Sequence, residues 1–69
     1  MKQVVLIEGM HCGMCSARVT RVFEALSAVD KCEVDLDAKK AILDVTEPLN
    51  EAFVRETVEN MGFDFISME

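Results

Sequence analysis

Tryptophan and tyrosine are missing from this 69-residue chain, and proline and histidine occur once each. Four phenylalanines are the whole aromatic complement, so aliphatic side chains must fill most of any core. Long apolar runs are also missing. Residues 4–7 form a run that Glu8 ends, far short of the roughly 20 residues a membrane-spanning helix needs or of a secretory core. A chain without a leader is therefore expected. Positive charge is scarce, with 7 Lys and Arg against 13 Asp and Glu, a formal net charge of −6. Nucleic-acid phosphates and anionic membrane surfaces would be repelled by that balance. Cysteine occurs three times, with two of the three clustered. A secreted disulfide scaffold usually carries an even number spread along the chain, so a reducing compartment, the cytoplasm, is expected.

What is present is enough to pack. Half the residues are hydrophobic, 51%, so disorder is not expected. A chain this short buries only about 60% of its unfolded surface, which leaves room for a single core. Residues 2–8 are rich in β-branched and large apolar side chains and read as a strand that Gly9 breaks. Over residues 13–26 the period becomes helical: Cys15, Val19, Val22, Phe23 and Leu26 line one side, with Ser16, Arg18, Thr20, Arg21 and Glu24 opposite. Residues 29–37 alternate, a turn is expected over residues 37–40, and Ala41, Leu43 and Val45 continue the period of two, which predicts a hairpin. A second helix should start after Asn50 as N-cap, with Leu49 and Val54 as a hydrophobic staple. Its stripe is Val54, Val58 and Met61, and Gly62 supplies a left-handed C-cap that folds Phe63 back toward Val58. Residues 63–68 form a last short strand.

The order βαββαβ, with right-handed crossovers, gives an α+β ferredoxin-like fold: a four-stranded antiparallel sheet with two helices on one face. Following the chain up and down, the loop at residues 9–15, the turn at 37–40 and the corner at 61–63 share one end. The termini and Pro48 share the other. RNA-recognition domains have this architecture, but they need exposed basic and aromatic residues on the sheet, and no expected strand carries them.

The chemistry concentrates in Cys12-Gly13-Met14-Cys15, where a strand gives way to a helix. Two cysteines three apart across such a turn can direct both sulfurs to one site, and thiolates bind soft ions: Cu(I), Zn(II), Cd(II) or Hg(II). Free N–H groups at the helix start favour negative charge there, and Gly13 is expected to supply the backbone freedom that brings the sulfurs together. A structural zinc site closes with four protein ligands. Cys32 is expected inside, as a small hydrophobe on its strand. His11, beside Cys12, reads as a solvated loop residue. Two thiolates suit Cu(I), which accepts near-linear coordination and, left under-coordinated, can pass to an incoming thiolate.

The run Gly9-Met10-His11-Cys12-Gly13-Met14-Cys15 resembles the Gly-Met-x-Cys-x-x-Cys loop of the heavy-metal-associated domain family, and the likeness continues to Asn60-Met61-Gly62-Phe63. That family includes bacterial copper chaperones and the metal-binding domains of copper-transporting P-type ATPases. The resemblance implies that residues 1–69 form one such domain, a non-enzymatic carrier. It also implies Cu(I) held by Cys12 and Cys15 and transfer by docking onto a P-type ATPase or its metal-binding domain. The carrier is expected to be a monomer, or two copies sharing one metal. Phe63, where stand-alone bacterial chaperones usually have Tyr, leans toward the ATPase-domain type. Ala28 stands where Gly commonly closes the first helix, and Cys32 replaces an aliphatic residue.

Around the cysteines, Met10 is expected to turn inward and fix the loop rather than ligate, Met14 to lie exposed, and Phe63 to keep water off the thiolates. Arg18, Arg21, Lys39 and Lys40 are candidates for a basic docking patch. A thiol-disulfide enzyme is the alternative from another class. Thioredoxin-like enzymes also place Cys-x-x-Cys at a helix start, but they need a longer chain and a proline facing the cysteines. An acylphosphatase-type enzyme would need an anion-cradling arginine that the first loop lacks.

Overall fold

The computed structural model describes residues 1–11 and 13–69, so Cys12 lies outside the described residues. The elements are β1 (Lys2–Glu8), α1 (Gly13–Glu24), β2 (Val29–Asp35), β3 (Lys40–Val45), α2 (Glu51–Asn60) and β4 (Asp64–Met68). The strands form an antiparallel sheet in the order β2-β3-β1-β4, the ferredoxin-like arrangement anticipated from the chain order. Val5 and Ile7 of β1, Ala41, Leu43 and Val45 of β3, and Cys32 of β2 point to one face, where they meet Val19 and Phe23 of α1 and Val54 and Val58 of α2. Each fully buried aliphatic or phenylalanine side chain contributes roughly 1.5–3 kcal/mol.

Helix α2 is closed at both ends as its chemistry requires. Asn50 accepts a hydrogen bond from the Phe53 backbone N–H at 3.1 Å, capping α2. At its other end, Gly62 takes φ +91°, and its N–H donates to the Glu59 carbonyl while the Phe63 N–H donates to the Val58 carbonyl. Those two bonds make a Schellman corner, and they aim Phe63 back toward β1.

Three boundaries differ from expectation. α1 stops at Glu24 rather than residue 26, because without a C-cap glycine the last turn tightens, with the Leu26 N–H bonding to the Phe23 carbonyl. The β2–β3 turn occupies residues 36–39 rather than 37–40. Asp35 Oδ1 accepts the Ala38 N–H at 3.0 Å and Lys39 takes φ +58°, so the Asp35–Lys40 pair closes the ladder. Leu36 kept the alternation going on paper because it packs against the core from within the turn. β4 starts at Asp64, one residue late, since Phe63 belongs to the α2 corner.

The ends of the molecule are sorted as the topology demands. The Met1 ammonium donates to the Val45 carbonyl, Val4 and Glu69 exchange backbone bonds, and the Leu49 N–H beyond Pro48 donates to Gln3 Oε1. At the opposite end, the Ile7 N–H reaches the Lys39 carbonyl and Glu8 pairs with Asp64 in the sheet. The β1–α1 loop, the β2–β3 turn and the Phe63 corner are therefore neighbours.

Candidate metal centre

The loop that follows β1 is shaped before any ligand is considered. Gly9 has φ +102°, and a Cβ there would sit 3.5 Å from Phe63 Cδ1 and 3.7 Å from Phe63 Cα. The backbone thus turns in a left-handed conformation directly against the Phe63 ring. Freedom of this kind was expected of Gly13. Gly13 opens α1, where an added Cβ would meet nothing within 4 Å, and the left-handed turn belongs to Gly9. A glycine directly after a strand was the available signal.

Met10 enters the core, 8% exposed, as the inward plug anticipated. His11 lies on the surface. Met14 is 82% exposed, the most exposed of the large apolar side chains. Cys15 lies in the first turn of α1, half-buried and packed against the core. The Ser16 hydroxyl donates back to the Gly13 carbonyl at 2.8 Å, tying that turn. Cys15 therefore stands at a braced helix start, with Met10 buried in the core against which it packs and Phe63 closing the side of the loop at Gly9. Cys12, the other expected ligand, lies outside the described residues.

The four candidate docking cations do not form one group. Lys39 Nζ lies 3.4 Å from a Glu8 carboxylate oxygen and Lys40 is drawn into the sheet opposite Asp35 and Leu6. Arg18 and Arg21 stand exposed on α1 and line one shallow depression with Met14 and Ala17. Among the described residues no ion pair involves either arginine. The acid of that helix, Glu24, is turned away, its Oε2 accepting the Cys32 backbone N–H at 3.0 Å. That bond also covers a donor on the outer strand β2. Glu8 escaped sequence reasoning because its pairing with Lys39 arises only between elements, whereas Ala17 lies on the same α1 face as Met14, Arg18 and Arg21 and was readable from the helical spacing.

Cys32 is a different kind of cysteine from Cys15. It is 5% exposed in the core, and burial pushes its thiol from 9.0 up to about 11, with a hydrogen bond to Thr20 opposing and Glu24 and Glu33 adding to the rise. A thiol whose folded pKa is raised contributes stability that is complete below the unfolded value and is lost as pH climbs through the folded one. Unfolding resistance is expected to decline from about pH 9 to about pH 11, and a Cys32→Val variant should lose less over that interval in denaturant titrations. Alkylation at neutral pH should leave Cys32 unmodified until denaturant is added, as peptide mass mapping would report.

Comparison with known proteins follows this geometry. The sequence pattern of the heavy-metal-associated domain matches residues 4–64. Two uncharacterised proteins of Haemophilus influenzae are each 37% identical over 65 residues, covering 93% of this chain and 96% of theirs. Among solved structures, the CopZ metallochaperone superposes with a TM-score of 0.87 at 19% identity, over 96% of this chain and 100% of its own. A copper-binding domain of HMA7, a P-type ATPase, gives 0.81 at 27% identity over 100% and 99% of the two chains. The N-terminal domain of ZntA in its Zn(II) form gives 0.81 at 20% identity, over 94% and 88%. With the loop sequence, the fold and the match across most of its length in agreement, the chain belongs to the heavy-metal-associated domain family.

Proposed function

We propose that this chain carries Cu(I) as cargo on the thiolates of Cys12 and Cys15 and exchanges it, in the cytoplasm, with a copper-transporting P-type ATPase or that enzyme's metal-binding domain. The observation that carries the reading is the braced loop. Cys15 sits in the first turn of α1 packed against the core that holds Met10, with Phe63 against Gly9, and the sequence places Cys12 three residues before it. Among the described residues no group of three or more His, Cys, Asp or Glu is disposed to hold a metal. Two soft sulfurs suit Cu(I) better than Zn(II), which seeks four ligands, while Cd(II) and Hg(II) also bind thiolates, and the third cysteine, Cys32, is buried in the core. An open two-thiolate ion is also reachable by a partner's thiolate, so exchange proceeds through shared coordination without release to water. No step in this cycle is enzymatic.

Competition against a Cu(I)-specific chelator under reducing conditions tests the reading. One equivalent of Cu(I) should move from chelator to protein, and a matching titration should show Zn(II) held far more weakly. Tighter binding of Zn(II), or failure to compete for Cu(I), would overturn it. The same domain could work as part of a longer ATPase, to which Phe63 points. The chemistry of the loop is identical in that setting.

Docking is assigned to the α1 depression, where Met14 and Ala17 offer apolar contact and Arg18 and Arg21 offer exposed positive charge on a chain that is acidic overall. An acidic partner domain fits it. Converting both arginines to glutamate is expected to slow transfer to such a domain by roughly tenfold or more at low salt and to flatten the salt dependence. Stopped-flow transfer rates at two ionic strengths would measure this. An unchanged rate would remove the patch from the mechanism.

A further inference from the structure

One face of the sheet carries no helix. Alternating with the buried Val5 and Ile7, the β1 residues Lys2, Val4, Leu6 and Glu8 point to that open side. Ile42 of β3 lies opposite Val4, and Ile66 of β4, 53% exposed, falls at the bulge in the β1–β4 register, next to Ser67, the partner of Leu6. Val4, Leu6, Ile42 and Ile66 are the aliphatic side chains of the sheet that take no part in the core. Along β1 the face therefore has an apolar centre, with Lys2 at one end across from Asp44 and Glu8 at the other beside Lys39.

We infer that this open face is a self-association surface, on which a second copy of the chain seats across a two-fold axis that lies between the two sheets at the level of Val5, with Lys2 opposite Glu8 and Val4 opposite Leu6. The outward row of β1 reads positive, apolar, apolar, negative. A two-fold axis perpendicular to the strand reverses that order in the partner, so each charge meets its opposite and the apolar pair meets itself. No other occupant is specified so closely by the row itself. The Glu8 carboxylate, half exposed although Lys39 lies 3.4 Å away, retains room for a second cation. Glu33 and Asp35 belong to the outer strand β2, where the twist of two stacked sheets carries their margins apart. The same axis sends the two β1–α1 loops to opposite ends of the pair, leaving both open. Self-association of this kind requires no metal and differs from two copies sharing one ion.

Sedimentation equilibrium of the reduced, metal-free chain at physiological salt, over a wide concentration range, tests the inference. The wild type and a Cys15→Ser variant should both dimerise reversibly. Lys2→Glu should weaken association by about tenfold or more, and combining it with Glu8→Lys should restore most of the loss, because the row is then reversed but still self-complementary. Leu6→Gln, circular dichroism confirming the fold, should abolish the dimer. A wild type that is monomeric throughout, a double reversal that restores nothing, or loss of association in Cys15→Ser would each overturn the proposal.

Discussion

Replacing Cys15 by serine is expected to lower Cu(I) affinity on the order of 10⁴-fold or more while leaving the domain folded, because a protonated hydroxyl is a hard, weak donor where a soft thiolate is needed. The same change removes little packing. Cys15 is half-buried at the edge of the core, so a loss of about 1 kcal/mol or less in stability should follow. Cys12→Ser is expected to match it in affinity. Cys32→Ser should behave in the opposite way. That side chain lies 5% exposed in the core, so the serine hydroxyl must be desolvated, at roughly 1–3 kcal/mol where its bonding is incomplete, and Cu(I) affinity should stay at the wild-type level. Chelator competition and urea titration of all three variants measure both quantities. If Cys32→Ser lost the metal, or Cys15→Ser kept it, the division of labour between surface and buried thiols would be wrong.

Much of this arrangement is readable in the chain because local rules and long-range packing agree. Asn50, Gly62 and the Val54–Val58–Met61 stripe each specify part of α2, and the structure uses all of them. The alternation in residues 29–37 outruns strand β2, since Leu36 obeys the period of two while sitting in a turn. Periodicity reports which side a residue faces and not whether its backbone pairs. The metal loop shows a comparable limit. Its residue types point to soft-metal chemistry, yet the left-handed pivot is Gly9 rather than Gly13, because the close approach of Phe63, 54 positions further on, can be seen only once the chain is folded. The docking candidates divide for the same reason. Lys39 is an available cation in the sequence and a partner of Glu8 in the structure.

The second large effect is expected at Phe23, which links the core to the metal loop through a single helix. Phe23 is fully buried, and Val19 and Cys15 precede it at steps of four along the inner face of α1. Truncation to alanine leaves a cavity beneath the helix and should cost roughly 3–5 kcal/mol. A chain of this length commands only about 3–10 kcal/mol in total, so the metal-free variant should be largely unfolded at physiological temperature. Cu(I) should then recover part of the loss. An ion bound preferentially by the folded chain stabilises it by RT ln(1 + [L]/Kd), which reaches about 4 kcal/mol at a thousandfold excess over Kd. The recovery depends on helix α1 holding Cys15 in place, for an unfolded chain also offers thiolates and any binding there subtracts from the gain. Denaturant curves of Phe23→Ala with and without one equivalent of Cu(I), read by circular dichroism, separate the two cases. A midpoint that rises with metal shows that the folded helix start binds the ion better than loose cysteines do. A midpoint indifferent to Cu(I) would mean that the braced first turn of α1 adds nothing to affinity, and the carrier mechanism would lose its structural basis.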